Sequence, residues 1–68
     1  MIVHIQGEVV STGPDRLTLQ LGGFGVQVFV PVSLAKQSQP GEMVFLHTNL
    51  IVLEDGWTLY GFEREIDR

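Results

Sequence analysis

Apolar and polar residues alternate along most of the chain, and no stretch has the three- to four-residue spacing of an amphipathic helix. The alternation predicts three β-strands in the first half, over residues 3–9, 17–21 and 24–30. Gly7 lies inside the first of them and predicts a bulge or a sharp bend. Strong curvature of this kind is typical of a small barrel.

Turn and cap signals separate the predicted strands. Residues 12–15 and Gly22-Gly23 are typical turn sequences, and Asp55-Gly56 predicts a two-residue hairpin before a last strand over residues 57–62. Pro31 ends the third strand. Ser33 is predicted to cap the only helical turn, over residues 34–37.

The longest predicted strand covers residues 43–53 and is apolar on both faces. One face carries Val44, Leu46, Leu50 and Val52, and the other carries Met43, Phe45, Ile51 and Leu53. Only one face can line the core, so the other is expected to meet a partner. We therefore predict that Phe45, Ile51 and Leu53 belong to an oligomeric or partner surface.

These elements predict an all-β fold, a small five-stranded Greek-key barrel of the OB type with one short helical turn between strands 3 and 4. An SH3-like barrel is the main alternative. The barrel is expected over residues 1–62, followed by a charged tail over residues 63–68. Such barrels serve many unrelated functions, so the fold class alone leaves the function open.

Composition narrows the function classes. The 68 residues carry a formal net charge of −4, with 4 Lys and Arg against 8 Asp and Glu, and contain no Cys. A small cysteine-free domain without a signal sequence or an apolar span predicts a cytoplasmic protein with no membrane contact. Scarce cations argue against a self-sufficient nucleic-acid binder, because Lys and Arg supply most of the affinity for phosphates.

The residues offer little catalytic chemistry. His4 and His47 are the only imidazoles, whereas a zinc site requires three or four ligands. Ser11 and Ser33 lie at predicted turns without a nearby base, and the glycines at 22–25 precede a strand rather than a phosphate-binding helix. We therefore predict no catalytic residue, no metal and no cofactor. Most of the aromatic residues are assigned to the core or to a protein interface.

Glu54 and Asp55 form an acidic pair at the tip of the predicted last hairpin. Turn chemistry alone explains an Asp-Gly sequence, and an exposed tip has no apolar pocket that would adapt either carboxyl group for catalysis. From the residues alone, the pair has a structural explanation and no catalytic one.

Three blocks of sequence resemble the N-terminal domain of the RuvA family of Holliday-junction-binding subunits. They are Met1-Ile2 with Ile5 and Gly7, residues 21–31 (LGGFGVQVFVP), and residues 47–56 (HTNLIVLEDG) followed by residues 59–62 (LYGF). The resemblance covers essentially the whole chain, and its last block is the most specific. The chain departs from the family pattern in two respects: Phe24 and Val26 stand where the family often has Val and Tyr, and Leu53 stands where some members have a basic residue.

The resemblance implies an OB-fold domain of a homotetramer that holds four-way junction DNA open during branch migration in recombination and repair. It implies that Glu54 and Asp55 form an acidic pin at the crossover, and that the subunit is not an enzyme. Further domains, absent from this chain, would carry helix-hairpin-helix motifs and contact the RuvB motor and possibly the RuvC resolvase. Two alternatives are a small β-barrel adaptor or oligomerisation module without a nucleic-acid role, and a stand-alone single-strand binder, which the charge disfavours.

Overall fold

The computed structural model describes residues 2–63, so residues 64–68 of the predicted charged tail lie outside the described part of the chain. The elements follow one another as strands β1 (Ile2–Thr12), β2 (Arg16–Leu21), β3 (Phe24–Phe29), helix α1 (Val32–Gln37), and strands β4 (Met43–Leu53) and β5 (Gly56–Phe62).

The five strands close into one barrel in the order β1-β2-β3-β5-β4. β1 is long enough to pair with β4 along its first half and with β2 along its second, and Glu8 is paired on both sides. The barrel closes between β3 and β5 through a single parallel pair, Phe29 with Tyr60. The all-β barrel with one short helix between strands 3 and 4 is confirmed, and it is consistent with an OB-fold.

The core of the barrel is aliphatic. It contains Val9, Leu17, Leu19, Val28, Val30, Leu34, Ala35, Leu46 and Leu59. Among the described residues, no aromatic side chain belongs to this buried set, and Phe24 and Trp57 are 76% and 62% exposed. Of the two predicted locations for most of the aromatic rings, the core is therefore excluded for the described residues, and a protein interface stays a prediction.

A bulge or a sharp bend was predicted at Gly7, and the bulge is not there. The irregularity in β1 falls between Val9 and Ser11, not at Gly7. Gly7 is buried where β1 passes from β4 to β2, and a Cβ there would lie 2.7 Å from the carbonyl oxygen of Gln20 and 2.6 Å from Cδ2 of Leu21. A glycine is required because two strands approach too closely for any side chain.

Helix α1 begins earlier than predicted and without a serine cap. Pro31 is the N-cap residue, and no side chain caps the helix. Because the helix begins at Val32, Ser33 lies inside its first turn and not at the N-cap position. At the other end, Ser38 donates from its backbone N–H and its hydroxyl to the carbonyl of Leu34, at 3.1 and 2.9 Å. Within residues 2–63, no helix has the length and apolar character needed to cross a membrane.

Candidate nucleic-acid interface

Glu54 and Asp55 are the two central residues of the turn that joins β4 to β5. Leu53 pairs with Gly56, so the turn contains the acidic pair itself rather than the predicted Asp55-Gly56. The backbone angles agree with this turn, since Asp55 does not adopt the positive φ that an Asp-Gly hairpin turn of the primed type would require. Gly56 instead starts β5 with φ 151°. Both carboxylates consequently project at the tip.

The tip is exposed and bears no compensating charge from the described residues. Glu54 and Asp55 are both exposed. The one ion pair within residues 2–63 joins Arg16 to Asp15 at 3.0 Å, on a different turn. The acidic pair thus presents two adjacent anionic groups to solvent.

The two strands of this hairpin carry the acidic pair away from the barrel. Within residues 2–63, β4 pairs with β1 as far as Asn49, whereas its pairing with β5 continues to Leu53. Four residues at about 3.3 Å each place the tip roughly 13 Å beyond the last pair with β1. Val52 shows the consequence: it shares the inward face of Leu46, yet 73% of it is exposed.

The predicted partner surface is divided in two. Phe45, Ile51 and Leu53 are all exposed, as predicted. Ile51 and Leu53 lie close together on the hairpin next to the acidic tip. Phe45 lies six residues earlier, or about 20 Å along the strand.

Phe45 lies within a small aromatic cluster. Its ring stacks on His4 with centroids 5.1 Å apart and meets His47 edge-on at 5.4 Å. The two imidazoles are cross-strand partners on β1 and β4. Among the described residues, no three His, Asp or Glu side chains are grouped so that they could hold a metal ion.

The structure adds a feature that the sequence reasoning missed, a cleft between the first halves of β3 and β5. It has a volume of about 420 Å³ and is lined by Phe24, Val26, Gln27, Trp57, Thr58 and Leu59, among others. We call it the β3–β5 cleft. The alternation of apolar residues placed Phe24 on the face of Val28, but only the point of barrel closure decides that Phe24 and Trp57 remain exposed.

The described cations are not gathered near the acidic tip. Arg16 lies on β2, with its guanidinium carbon 5.0 Å from the centroid of the Phe29 ring, and Lys36 lies on α1. Attraction of DNA phosphates is therefore not a property of the acidic hairpin.

Comparison with known proteins gives a consistent result. The model of the RuvA N-terminal domain family matches residues 1–61. The Holliday junction branch migration complex subunit RuvA of Desulforudis audaxviator is 44% identical over 69 residues, covering 100% of this chain and 34% of the relative. The RuvA subunit of Caldanaerobacter subterraneus subsp. tengcongensis is 41% identical over 66 residues, covering 96% of this chain and 35% of the relative.

A third relative, the RuvA subunit of Coxiella burnetii (strain RSA 331 / Henzerling II), is 39% identical over 69 residues, which is 100% of this chain and 34% of the relative. The chain thus spans about a third of the length of these curated relatives. The family match covers nearly all of the barrel, including the acidic hairpin. This chain belongs to the RuvA N-terminal domain family.

Proposed function

We propose that this chain is the domain of a RuvA subunit that meets the crossover of a Holliday junction, with Glu54 and Asp55 as a non-catalytic acidic pin. The observation that carries the proposal is the placement of both acidic residues at the central positions of an exposed turn, beyond the closed part of the barrel. The names of the relatives support the junction as the substrate and branch migration as the process.

The chemistry of the pin is electrostatic repulsion. A carboxylate and a phosphate about 4 Å apart repel by about 1 kcal/mol in water, and by about 4 kcal/mol near a protein surface. Two carboxylates from each of four copies would surround the point where the strands part. The pin disfavours continuous duplex at the crossover and guides separated strands apart, and no bond is broken.

We further propose that the subunit acts as a cytoplasmic homotetramer. The exposed apolar side chains of Ile51 and Leu53 next to the tip support a contact with a neighbouring copy, since exposed apolar patches commonly mark interaction sites. Phosphate contacts would come from helix-hairpin-helix motifs elsewhere in the subunit, and the RuvB motor and the RuvC resolvase would be partners of the assembly. This division of labour accounts for the net charge of −4 on a DNA-handling domain.

The test is the double variant Glu54→Gln with Asp55→Asn in the RuvA subunit that contains this domain. Gel-shift titrations compare a four-way junction with a duplex of the same arm sequence. We expect tighter binding to duplex, a smaller preference for the junction, and an altered rate of branch migration when the motor is present. Because both residues are exposed at a turn, the free energy of unfolding should change by less than about 0.5 kcal/mol.

The matched control is Glu8→Gln with Glu63→Gln. It causes the same change in net charge at exposed residues away from the tip. We expect the control to keep the parent's preference for the junction. If the tip variant discriminates junction from duplex as the parent does and supports migration at the same rate, Glu54 and Asp55 serve only to form the hairpin turn.

A further inference from the structure

The β3–β5 cleft combines two exposed aromatic rings with an uncharged lining. Among the Phe, Tyr and Trp side chains of residues 2–63, Phe24 on β3 and Trp57 on β5 are the two most exposed, and both line the cleft. None of the lining residues is titratable. Its volume of about 420 Å³ is within the range of about 300–1,000 Å³ that is usual for small-molecule sites.

The edges of the cleft are polar because the barrel is open there. β3 and β5 pair with each other only at Phe29 and Tyr60. Before that point, β3 pairs only with β2 and β5 only with β4, so each strand leaves backbone N–H and C=O groups directed toward the cleft. Gln27 and Thr58 add an amide and a hydroxyl. The site therefore suits a flat ring with a polar perimeter.

We propose that the β3–β5 cleft receives an unpaired nucleobase from the junction, with Trp57 as the main stacking residue. This inference rests on the proposed function, because Trp57 is two residues from Asp55 on the hairpin that would enter the crossover. The acidic tip repels the phosphates of the separated strands, whereas the uncharged cleft accepts the neutral base. Backbone groups of open strand edges can bond any base, so no sequence preference is expected.

Charge favours a base over a whole strand at this site. Sequence-independent binding of a single strand needs a basic groove together with the aromatic rings, and neither Arg16 nor Lys36 lines the cleft. Affinity must therefore come from phosphate contacts made elsewhere, and the cleft holds only a base that the junction has already freed from pairing. An extended peptide could also use the open strand edges, and the test below separates this occupant from a base.

Trp57 provides the experiment, as it is the only Trp of the 68 residues. The fluorescence of Trp57 is obtained by subtracting the emission of the Trp57→Phe variant of the RuvA subunit from that of the parent subunit, because this removes the signal of any other Trp. Acrylamide quenching of this fluorescence in the absence of DNA first shows whether the Trp57 ring is accessible to solvent. We expect free Trp57 to be quenched readily, and saturating four-way junction to reduce its emission at least twofold, whereas duplex of the same arm sequence should leave it within about a tenth of the starting value.

Variants test the role of the ring. Trp57→Ala should weaken junction binding roughly tenfold, as expected for the loss of one base-stacking contact, and Trp57→Phe should weaken it less than threefold. Val52→Ala is the matched control, because Val52 pairs with Trp57 across the hairpin but does not line the cleft. It should leave both the junction affinity and the quenching of Trp57 unchanged.

The outcomes are distinguishable. Preferential junction binding with equal Trp57 emission on junction and duplex overturns the base-binding cleft and leaves the proposed function intact. If the unsubstituted subunit binds the four-way junction no better than the duplex, the proposed function is overturned. Trp57 that is already shielded from acrylamide without DNA means that a protein segment or a second copy fills the cleft, which also overturns the inference.

Discussion

Gly7→Ala is expected to destabilise the barrel strongly, although it adds only one methyl group. The new Cβ would lie 2.7 Å from the carbonyl oxygen of Gln20, a backbone atom fixed by pairing between β1 and β2. Separating the strands by the missing several tenths of an ångström weakens the Glu8–Gln20 pair and opens the core beside Val9. Overpacking of this type costs about 1–3 kcal/mol.

That cost is large for a domain of this size. A single core in a chain of 70 residues or fewer rarely supplies more than about 3–5 kcal/mol of stability. A loss of about 2 kcal/mol would lower the melting temperature by roughly 8–16 °C.

Urea unfolding followed by circular dichroism measures the effect, and an unchanged m-value shows that the same surface is exposed. Gly25→Ala is the matched control, because its added Cβ would meet nothing closer than Cγ2 of Thr18 at 3.9 Å. It should be neutral, or stabilising by up to about 1 kcal/mol, since alanine restricts the unfolded chain more than glycine does. If Gly7→Ala and Gly25→Ala unfold at the same urea concentration, the close approach of β1 to β2 does not limit the fold.

Three further predictions concern the core and the hairpin. Thr48 is fully buried, and its hydroxyl has no hydrogen-bond partner among the described residues, so Thr48→Val should raise the free energy of unfolding by about 1 kcal/mol; a loss of stability in urea would contradict this. Leu46→Ala should lower the free energy of unfolding by about 2–5 kcal/mol, and Val52→Ala, at an exposed residue, by less than about 0.5 kcal/mol. Equal losses would contradict the burial of Leu46 in the core. Ile51→Ser with Leu53→Ser should weaken self-association of the RuvA subunit in light scattering without lowering its melting temperature by more than a few degrees, and an unchanged assembly would exclude this surface.

The strand pattern was readable from the sequence because alternation along a strand reports which side chains share a face. The predicted barrel, its five strands and the single helix are all confirmed, and the second strand illustrates why. Leu17 and Leu19 are fully buried while Thr18 between them is not, as a period of two requires. The resemblance to the RuvA N-terminal domain was also readable, because residues 47–56 and 59–62 form a specific local pattern.

The candidate site was predictable in its composition and less so in its geometry. Glu54 and Asp55 were expected at a hairpin tip, and their exposure is confirmed. The predicted position of the turn was wrong by one residue. The register between β4 and β5 determines which residues form the turn, and that register depends on pairing along the whole hairpin. Alternation placed Phe45, Ile51 and Leu53 on one face of one strand. Only the structure shows that Phe45 lies where β4 is paired with β1, whereas Ile51 and Leu53 lie on the part of the hairpin beyond that pairing.

Only the tertiary structure shows which residues on the inward face of a strand are buried and which are exposed. Trp57 and Leu59 lie on the same face of β5, yet Leu59 is buried and Trp57 is 62% exposed. The barrel closes at the pair of Phe29 with Tyr60, and Leu59 adjoins that pair and packs in the core. Trp57 lies three residues before the pair, where β5 is not paired with β3. Closure of the barrel depends on pairing between residues that are distant in the sequence, and the local alternation of apolar and polar residues does not predict that pairing. For the same reason, the sequence predicted a bulge or a sharp bend at Gly7, whereas the structure shows that β1 approaches the backbone of Gln20 on β2 too closely there for a Cβ.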